Sequence, residues 1–282
     1  METGRKATCS AAPRLNIEER TMTETYTDTD LYSLPTKEAE QGLRVQLAAA
    51  YRMVDYYGWT EQIYGHLTAR VPGPEAHFLI NPFGLNYDEV TASNLVKIDC
   101  DGEIVEGEHP VNRAGFVIHS AVHMANTETH KCVMHTHTRA GMAVAAVKEG
   151  LQPISMASTG FYGQLSYHDY EGVSLDTEER ERLLDDLGDN NAMILRNHGL
   201  LTTGRSIPEA FQRLYRLERS CQIQVDAAAA GELNLLTDNV ARASADGLST
   251  GATMHGKAPT SGGLEFAAMM RKMDKIDPSY RN

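Results

Sequence analysis

Basic residues are in short supply in this 282-residue chain, where 26 Lys and Arg stand against 38 Asp and Glu for a formal net charge of −12. Nucleic-acid grooves and anionic membrane surfaces are bound by clustered cations, so both partners are set aside and small-molecule chemistry is the default. Long apolar runs are also missing. No stretch approaches the roughly 18 uninterrupted apolar residues of a membrane span, and the opening Met1-Glu2-Thr3-Gly4-Arg5-Lys6 is not followed by an apolar signal core. A soluble, cytoplasmic protein is expected. The four cysteines, Cys9, Cys100, Cys132 and Cys221, show neither a framework spacing nor a Cys-x-x-Cys pair. That pattern fits reduced thiols and excludes a disulfide scaffold.

With 41% hydrophobic and 23% charged residues the chain can bury one sizeable core, and we expect one domain with ragged ends. Residues 1–33 are polar, lack an apolar period and are expected to be disordered, with Met22 as an alternative start. Residues 34–235 should form the domain. From Thr36, Leu43, Leu47, Ala50, Tyr51 and Val54 recur at three and four residues, a helical face that ends at Gly58. Strand-like pieces follow at 65–71, 77–81 and 95–99, with a turn at Asn81-Pro82-Phe83-Gly84 between the last two. Further helices are expected over Phe116–Ala125, Arg139–Val147, Asp176–Leu187 and from Ser206 to Gly231, with strands at 131–136 and 192–196. Gly199 to Gly204 reads as a strand end and turn. Residues 236–282 should be a partly irregular extension with a short helix at Leu264–Lys275. Strands alternating with helices point to a mixed sheet covered by helices.

Histidine carries the chemical signal. His135 and His137 close the strand at 131–136, and His198 follows the strand at 192–196. Residues i and i+2 of a strand share a face about 6.5 Å apart, so the pair can converge on one cation. A third imidazole from a neighbouring strand end would complete a facial set with open positions, the pattern of a catalytic metal site. His119 and His123 lie four apart on one helix face.

Several ordered motifs then identify a resemblance: Gly65-His66-Leu67-Thr68-Ala69-Arg70, Leu79-Ile80-Asn81-Pro82-Phe83-Gly84, Ala114-Gly115-Phe116 leading to His119, Val133 through His137, and Leu195 through Leu200. From about Glu38 to Ala230 the chain resembles the class II aldolase/adducin family. The resemblance implies an αβα sandwich whose central sheet is mixed and largely antiparallel. It implies one divalent ion held by His135, His137 and His198, zinc first, with iron(II) and manganese as the other options. It also implies a homo-oligomer, a tetramer by analogy, and a small-molecule substrate cleaved at a carbon–carbon bond through a metal-stabilised enediolate.

The departures shape the expected function. Sugar-phosphate aldolases of the family carry a glutamate, ligand and acid/base, at the position that is Gly115 here. Their phosphate pocket matches Gly65, His66, Phe83, Gly84, Arg113 and Ala114, where only the two glycines keep the pattern. Phosphate needs clustered N–H and hydroxyl donors, so a non-phosphorylated hydroxy or keto acid is expected, contacted by Gly65, His66, Phe83, Gly84 and Arg113. Proton transfer then falls to His119, either as a fourth ligand or as a base beside the metal, with helix packing as its competing role. Phenols of the cluster Tyr162, Tyr167, His168 and Tyr170 compete for the second proton step, Tyr162 and Tyr167 first. His123 reads as structural. A metal-dependent lyase is ranked ahead of a non-haem iron oxygenase acting on 2-oxo or 2-hydroxy acids, and an adducin-like scaffold without chemistry comes third.

Overall fold

The computed structural model describes residues 30–172, 178–249 and 262–282. The expected disorder of residues 1–33 lies outside the described residues up to residue 29, as does the start at Met22. At its end that expectation is overturned, because Leu31–Ser33 forms a 3-10 turn capped by Asp30 and Leu31 packs into the core. Helix α1 (Thr36–Tyr56) begins after Pro35, buries Leu43, Leu47, Ala50, Tyr51 and Val54 on the expected face, and stops before Gly58. That glycine takes φ 68°, a left-handed turn open to residues without a Cβ. Strands β1 (His66–Arg70), β2 (Phe78–Ile80), β3 (Val96–Ile98) and β4 (Ile104–Glu106) then form a meander. Helix α2 (Arg113–Ala125) leads to β5 (Cys132–Thr136), and α3 (Arg139–Ala145) and the short α4 (Met156–Thr159) precede β6 (Ser166–His168). Helix α5 (Glu178–Leu187) is followed by β7 (Ala192–Leu195), β8 (Gly199–Gly204), α6 (Ile207–Ala230), α7 (Asp238–Ser249) and α8 (Gly263–Ile276).

The eight strands form one sheet in the order β4-β3-β2-β1-β5-β8-β7-β6. Every pairing is antiparallel except β6 with β7. Helices cover both faces, so β5 is buried at all five positions; it is apolar over Cys132, Val133 and Met134, and its last two residues are the polar His135 and Thr136. Cys132 and Met134 point into the cluster built by Leu43 and Leu47 of α1, Leu214 and Leu217 of α6, and Phe266 and Met270 of α8. Val133 points the other way, to Ile118 and Val122 of α2 and Leu183 and Leu187 of α5. This is the expected αβα sandwich. Among the described residues no helix is long and apolar enough to cross a membrane.

Two further segments depart from the sequence-based reading. Gly199–Gly204 is no strand end but the full strand β8, paired with β5 through five registered positions from Cys132↔Gly204 to Thr136↔Leu200. The three-residue loop that precedes it is too short to mark a boundary by composition. The stretch after Gly231 holds α7, whose buried residues are the small Ala241 and Ala245, a face too weak to register as a period. The C-terminal extension has the expected helix, Gly263–Ile276, and joins the main core through Phe266, Met270, Met273 and Tyr280. Ala92 and Ser93 donate their N–H groups to the carbonyls of Tyr280 and Asn282, both at 2.8 Å.

Tyr51 ties α1 to the strand that brings His66 and Thr68 to the site. Its hydroxyl accepts from Leu67 N–H at 2.8 Å and lies 2.7 Å from the Leu67 carbonyl and 2.9 Å from Asn81 Oδ1. Tyr51→Phe strands all three buried groups. Urea unfolding should show a loss of about 1–3 kcal/mol; a change within error would mean that the hydroxyl is not the tie.

Candidate metal centre

His135 is the fourth residue of β5 and lies on its α2-facing side with Val133, opposite Cys132 and Met134. His137 is not on the strand, which ends at Thr136. It occupies the turn into α3, just before Thr138, whose side chain caps that helix by accepting Gly141 N–H at 3.1 Å. The same hydroxyl donates to Glu218, a fully buried carboxylate on α6. The two imidazoles thus meet across a strand end rather than along a strand face, with ring centroids 4.6 Å apart. His198 arrives in the three-residue turn between β7 and β8. Asn197 there takes φ 56°, a conformation asparagine tolerates better than most residues, and donates its N–H to Ala145 carbonyl at 3.1 Å. Gly199 lets this turn close in: a Cβ would lie 2.5 Å from Thr136 carbonyl and 3.2–3.3 Å from the rings of His137 and His135.

The ligand nitrogens of His135, His137 and His198 all fall within 4.8 Å of one another. His135 Nε2 and His137 Nε2 are 2.7 Å apart, and His137 Nε2 and His198 Nε2 3.0 Å. Hydrogen bonding on the far side of two rings fixes which nitrogens face inward. His135 Nδ1 donates to Leu200 carbonyl at 2.9 Å, and His137 Nδ1 donates to the Glu61 carboxylate at 2.9 Å. Burial lowers the basicity of all three rings, His198 to about 4, so each carries a single N–H. Both inward Nε2 atoms are therefore bare lone pairs. Two lone pairs at that distance repel, and a cation between them converts the repulsion into coordination, with carbonyl and carboxylate partners holding the tautomers. The donor set fits a divalent ion of the zinc kind.

A second group of imidazoles adjoins the first. His66 on β1 is registered opposite His135 on β5, so both side chains rise on the α2 side. His119 descends from α2 with its ring centroid 5.8 Å from His66 and 6.4 Å from His135. Both are fully buried, and His66 Nδ1 and His119 Nε2 have no hydrogen-bond partner. Burial, then the repulsion a protonated His137 would exert, pushes His66 down to about 4, and burial, then the like repulsion from His66, holds His119 well below the usual imidazole value. The absence of a side chain at 115 has a direct cause: a Cβ on Gly115 would lie 2.1 Å from His66 Cδ2 and 2.2 Å from its Nε2. The ring fills the space that any side chain at 115 would enter.

A profile of the class II aldolase and adducin N-terminal domain matches residues 45–225. The chain belongs to the class II aldolase and adducin family. An aldolase II superfamily protein from Pseudomonas syringae is 47% identical, with a TM-score of 0.80 over 88% of this chain and 97% of that one. The L-fuculose 1-phosphate aldolase of Glaciozyma antarctica is 29% identical, with a TM-score of 0.76 over 89% and 98%. Rat alpha-adducin is 43% identical over 256 residues, which cover 86% of this chain and 34% of the adducin. The family therefore spans a named enzyme and a much longer adducin chain, and both share most of this chain's length.

The remaining residues singled out in the sequence divide in two. Gly65 takes φ 88° where β1 begins, and a Cβ would lie 2.8 Å from Tyr87 hydroxyl and 3.2 Å from His135 carbonyl. Phe83 is half-buried, with its ring 6.4 Å from Tyr64, and Gly84 takes φ 107° in open space. Arg113 is the first residue of α2, but its side chain lies outside what is described. Tyr162 and Tyr167 are not brought to the trio. The Tyr162 hydroxyl is bonded to Asp238 of α7, with Arg242 over its ring. The Tyr167 hydroxyl accepts Leu151 N–H at 3.0 Å beneath the Arg196 guanidinium. Tyr170 is the phenol that comes near, exposed and 6.1 Å from the His198 ring. Glu61 was missed because no local pattern announces a carboxylate that reaches a histidine 76 residues away.

His66 and position 115 should be energetically coupled. Gly115→Ala is expected to destabilise by about 1–3 kcal/mol through overpacking, and the same change in a His66→Ala background by less than half of that. Equal losses in both backgrounds would clear the ring of responsibility. His123 gives a pH signature away from the trio. Its Nδ1 donates to His130 carbonyl at 2.7 Å, its ring stacks on Phe78, and burial lowers it to about 3. Between an unfolded value near 6.5 and that folded value, the unfolded chain binds the extra proton, so stability falls as pH drops through the window. Urea midpoints measured against pH should fall less steeply for His123→Asn; an identical slope would remove His123 from the account.

Proposed function

We propose that this chain is a metal-dependent lyase of the class II aldolase type that cleaves a carbon–carbon bond in a small, non-phosphorylated hydroxy or keto acid. One observation carries the reading: three neutral imidazoles whose Nε2 atoms converge, two of them, on His135 and His137, with bare lone pairs turned inward by fixed partners behind the rings. His135, His137 and His198 would hold the ion, zinc by family habit. When bound, such an ion supplies a Lewis-acid charge that draws electron density from a carbonyl or hydroxyl oxygen. A scaffold gains nothing from keeping bare nitrogens in contact.

The chain's own residues perform the rest of the work in this reading. His119 takes the hydroxyl proton at Nε2, the free nitrogen of a ring within reach of the His135 side of the site. Tyr170, exposed beside His198, replaces Tyr162 and Tyr167 as the phenol available for return of a proton to carbon. His66 occupies the volume where an acidic side chain at 115 would stand, and together with Phe83 it leaves few hydroxyl donors for a phosphate. A carboxylate is the group that suits the remaining donors. A cytoplasmic homo-oligomer is part of the same reading.

The similarity to alpha-adducin favours one competing reading, a non-catalytic module. The oxygenase alternative draws no support from these relatives. Metal analysis of protein purified without added metal should find one divalent ion per chain, lost in His135→Ala and His198→Ala. A screen of hydroxy and keto acids for aldehyde release should give turnover that chelation abolishes and zinc restores, with sugar phosphates poor substrates. Absence of both stoichiometric metal and turnover would sink the lyase and leave the module, whereas turnover untouched by exhaustive chelation would sink the metal-dependent reading and the module alike.

A further inference from the structure

A chain of four hydrogen-bonding groups ends at His119. His123 Nδ1 is 2.7 Å from His130 carbonyl. A carbonyl oxygen can only accept, so this nitrogen carries the hydrogen. The ring is buried and neutral, so its Nε2 is bare. Thr68 Oγ1 lies 2.7 Å from that Nε2 and must donate to it. The hydroxyl has a single hydrogen, and the Val133 carbonyl, at 3.4 Å, is the weaker acceptor. Thr68 Oγ1 is also 2.7 Å from His119 Nδ1. With its hydrogen committed to His123, the threonine can only accept there, so His119 carries its hydrogen on Nδ1. The opposite nitrogen, His119 Nε2, is left bare, a buried atom with no hydrogen-bond partner. Each contact then holds one hydrogen and none holds two.

We propose that Thr68 and His123 are positioning residues that lock His119 in its Nδ1–H tautomer and so present a bare Nε2 as the proton acceptor of the site. The proposal rests on the lyase reading for the identity of the proton donor, a substrate hydroxyl. In that step the O–H bond breaks and its proton passes to Nε2. The O–H electron pair becomes the second bond of a new carbonyl, and the carbon–carbon pair departs onto the other fragment, spread over its own carbonyl. The proton is returned to that carbon, which closes the balance. The opposite tautomer of His119 would put a hydrogen at Nε2 and block the first transfer. A hydroxyl at 68 therefore acts on chemistry that it never touches, through the direction of two hydrogen bonds.

The test is a spectrum rather than a rate. In zinc-loaded protein labelled with 15N at histidine, long-range proton–nitrogen correlations report which ring nitrogen is bare, with His119 and His123 assigned from His119→Gln and His123→Asn. The expected result is the Nδ1–H tautomer for both rings. Thr68→Ser should retain it. Thr68→Val should move His119 toward the Nε2–H form while the zinc content stays at the wild-type level. A wild-type His119 with hydrogen on Nε2 overturns the proposal, and so does a tautomer unchanged in Thr68→Val. The wild-type spectrum decides even if the valine variant fails to fold. The expected tautomers in a protein that cleaves none of the acids screened would sink the lyase reading and leave the relay standing.

Discussion

Bare imidazole nitrogens repel when they face each other, and much of the architecture around β5 serves to hold them in that position. The Leu200 carbonyl behind His135 comes from the neighbouring strand β8, and the Glu61 carboxylate behind His137 comes from the loop after α1. The turn that brings His198 is pinned by Asn197 to the carbonyl of Ala145, the last residue of α3. The carbonyls of Leu200 and Ala145 and the carboxylate of Glu61 all lie more than 50 residues from the ring each helps to steady. The site is thus assembled by the strand order, with β1, β5 and β8 side by side, and a change in that order would scatter its parts.

The two groups of histidines divide the labour by chemistry. His135, His137 and His198 share one small space, with the lone pairs of the first two turned inward. His66, His119 and His123 lie on the α2 side of the same sheet face, buried and neutral, and two of them keep an unfilled nitrogen. Charging any member of the second group would place a cation in a dry interior beside three more imidazoles. The low basicity of these rings therefore helps keep the site ready for an ion at neutral pH. Glu218 acts at one remove, since it fixes the Thr138 cap and with it the turn that carries His137.

Legibility followed the range of each signal. Helix α1, the strands β1 to β3, β5 and β7, and helix α6 announce themselves by period and caps, which are local. Strand β8 hides behind a three-residue turn, and α7 hides because its buried positions are alanines. For the site, the His-x-His run and His198 could be paired by resemblance, but the geometry differs in kind: His137 lies past the strand end, where the turn into α3 begins. Glu61 carries no motif, and Thr68 and Tyr170, though they sit within recognisable runs, gain their roles only through contacts made in the fold. Tyr162 and Tyr167 were attractive as phenols in a polar run, yet their hydroxyls are taken up by Asp238 and Leu151.

The crowding between residue 115 and the ring at 66 has an evolutionary edge. Going from this kind of centre to one with an acidic side chain at 115 demands two replacements in a set order, because a carboxylate arriving first meets the imidazole at about half the contact distance that carbon atoms tolerate. The ring must go first, and the intermediate then has neither group. A single replacement therefore cannot convert one kind of centre into the other.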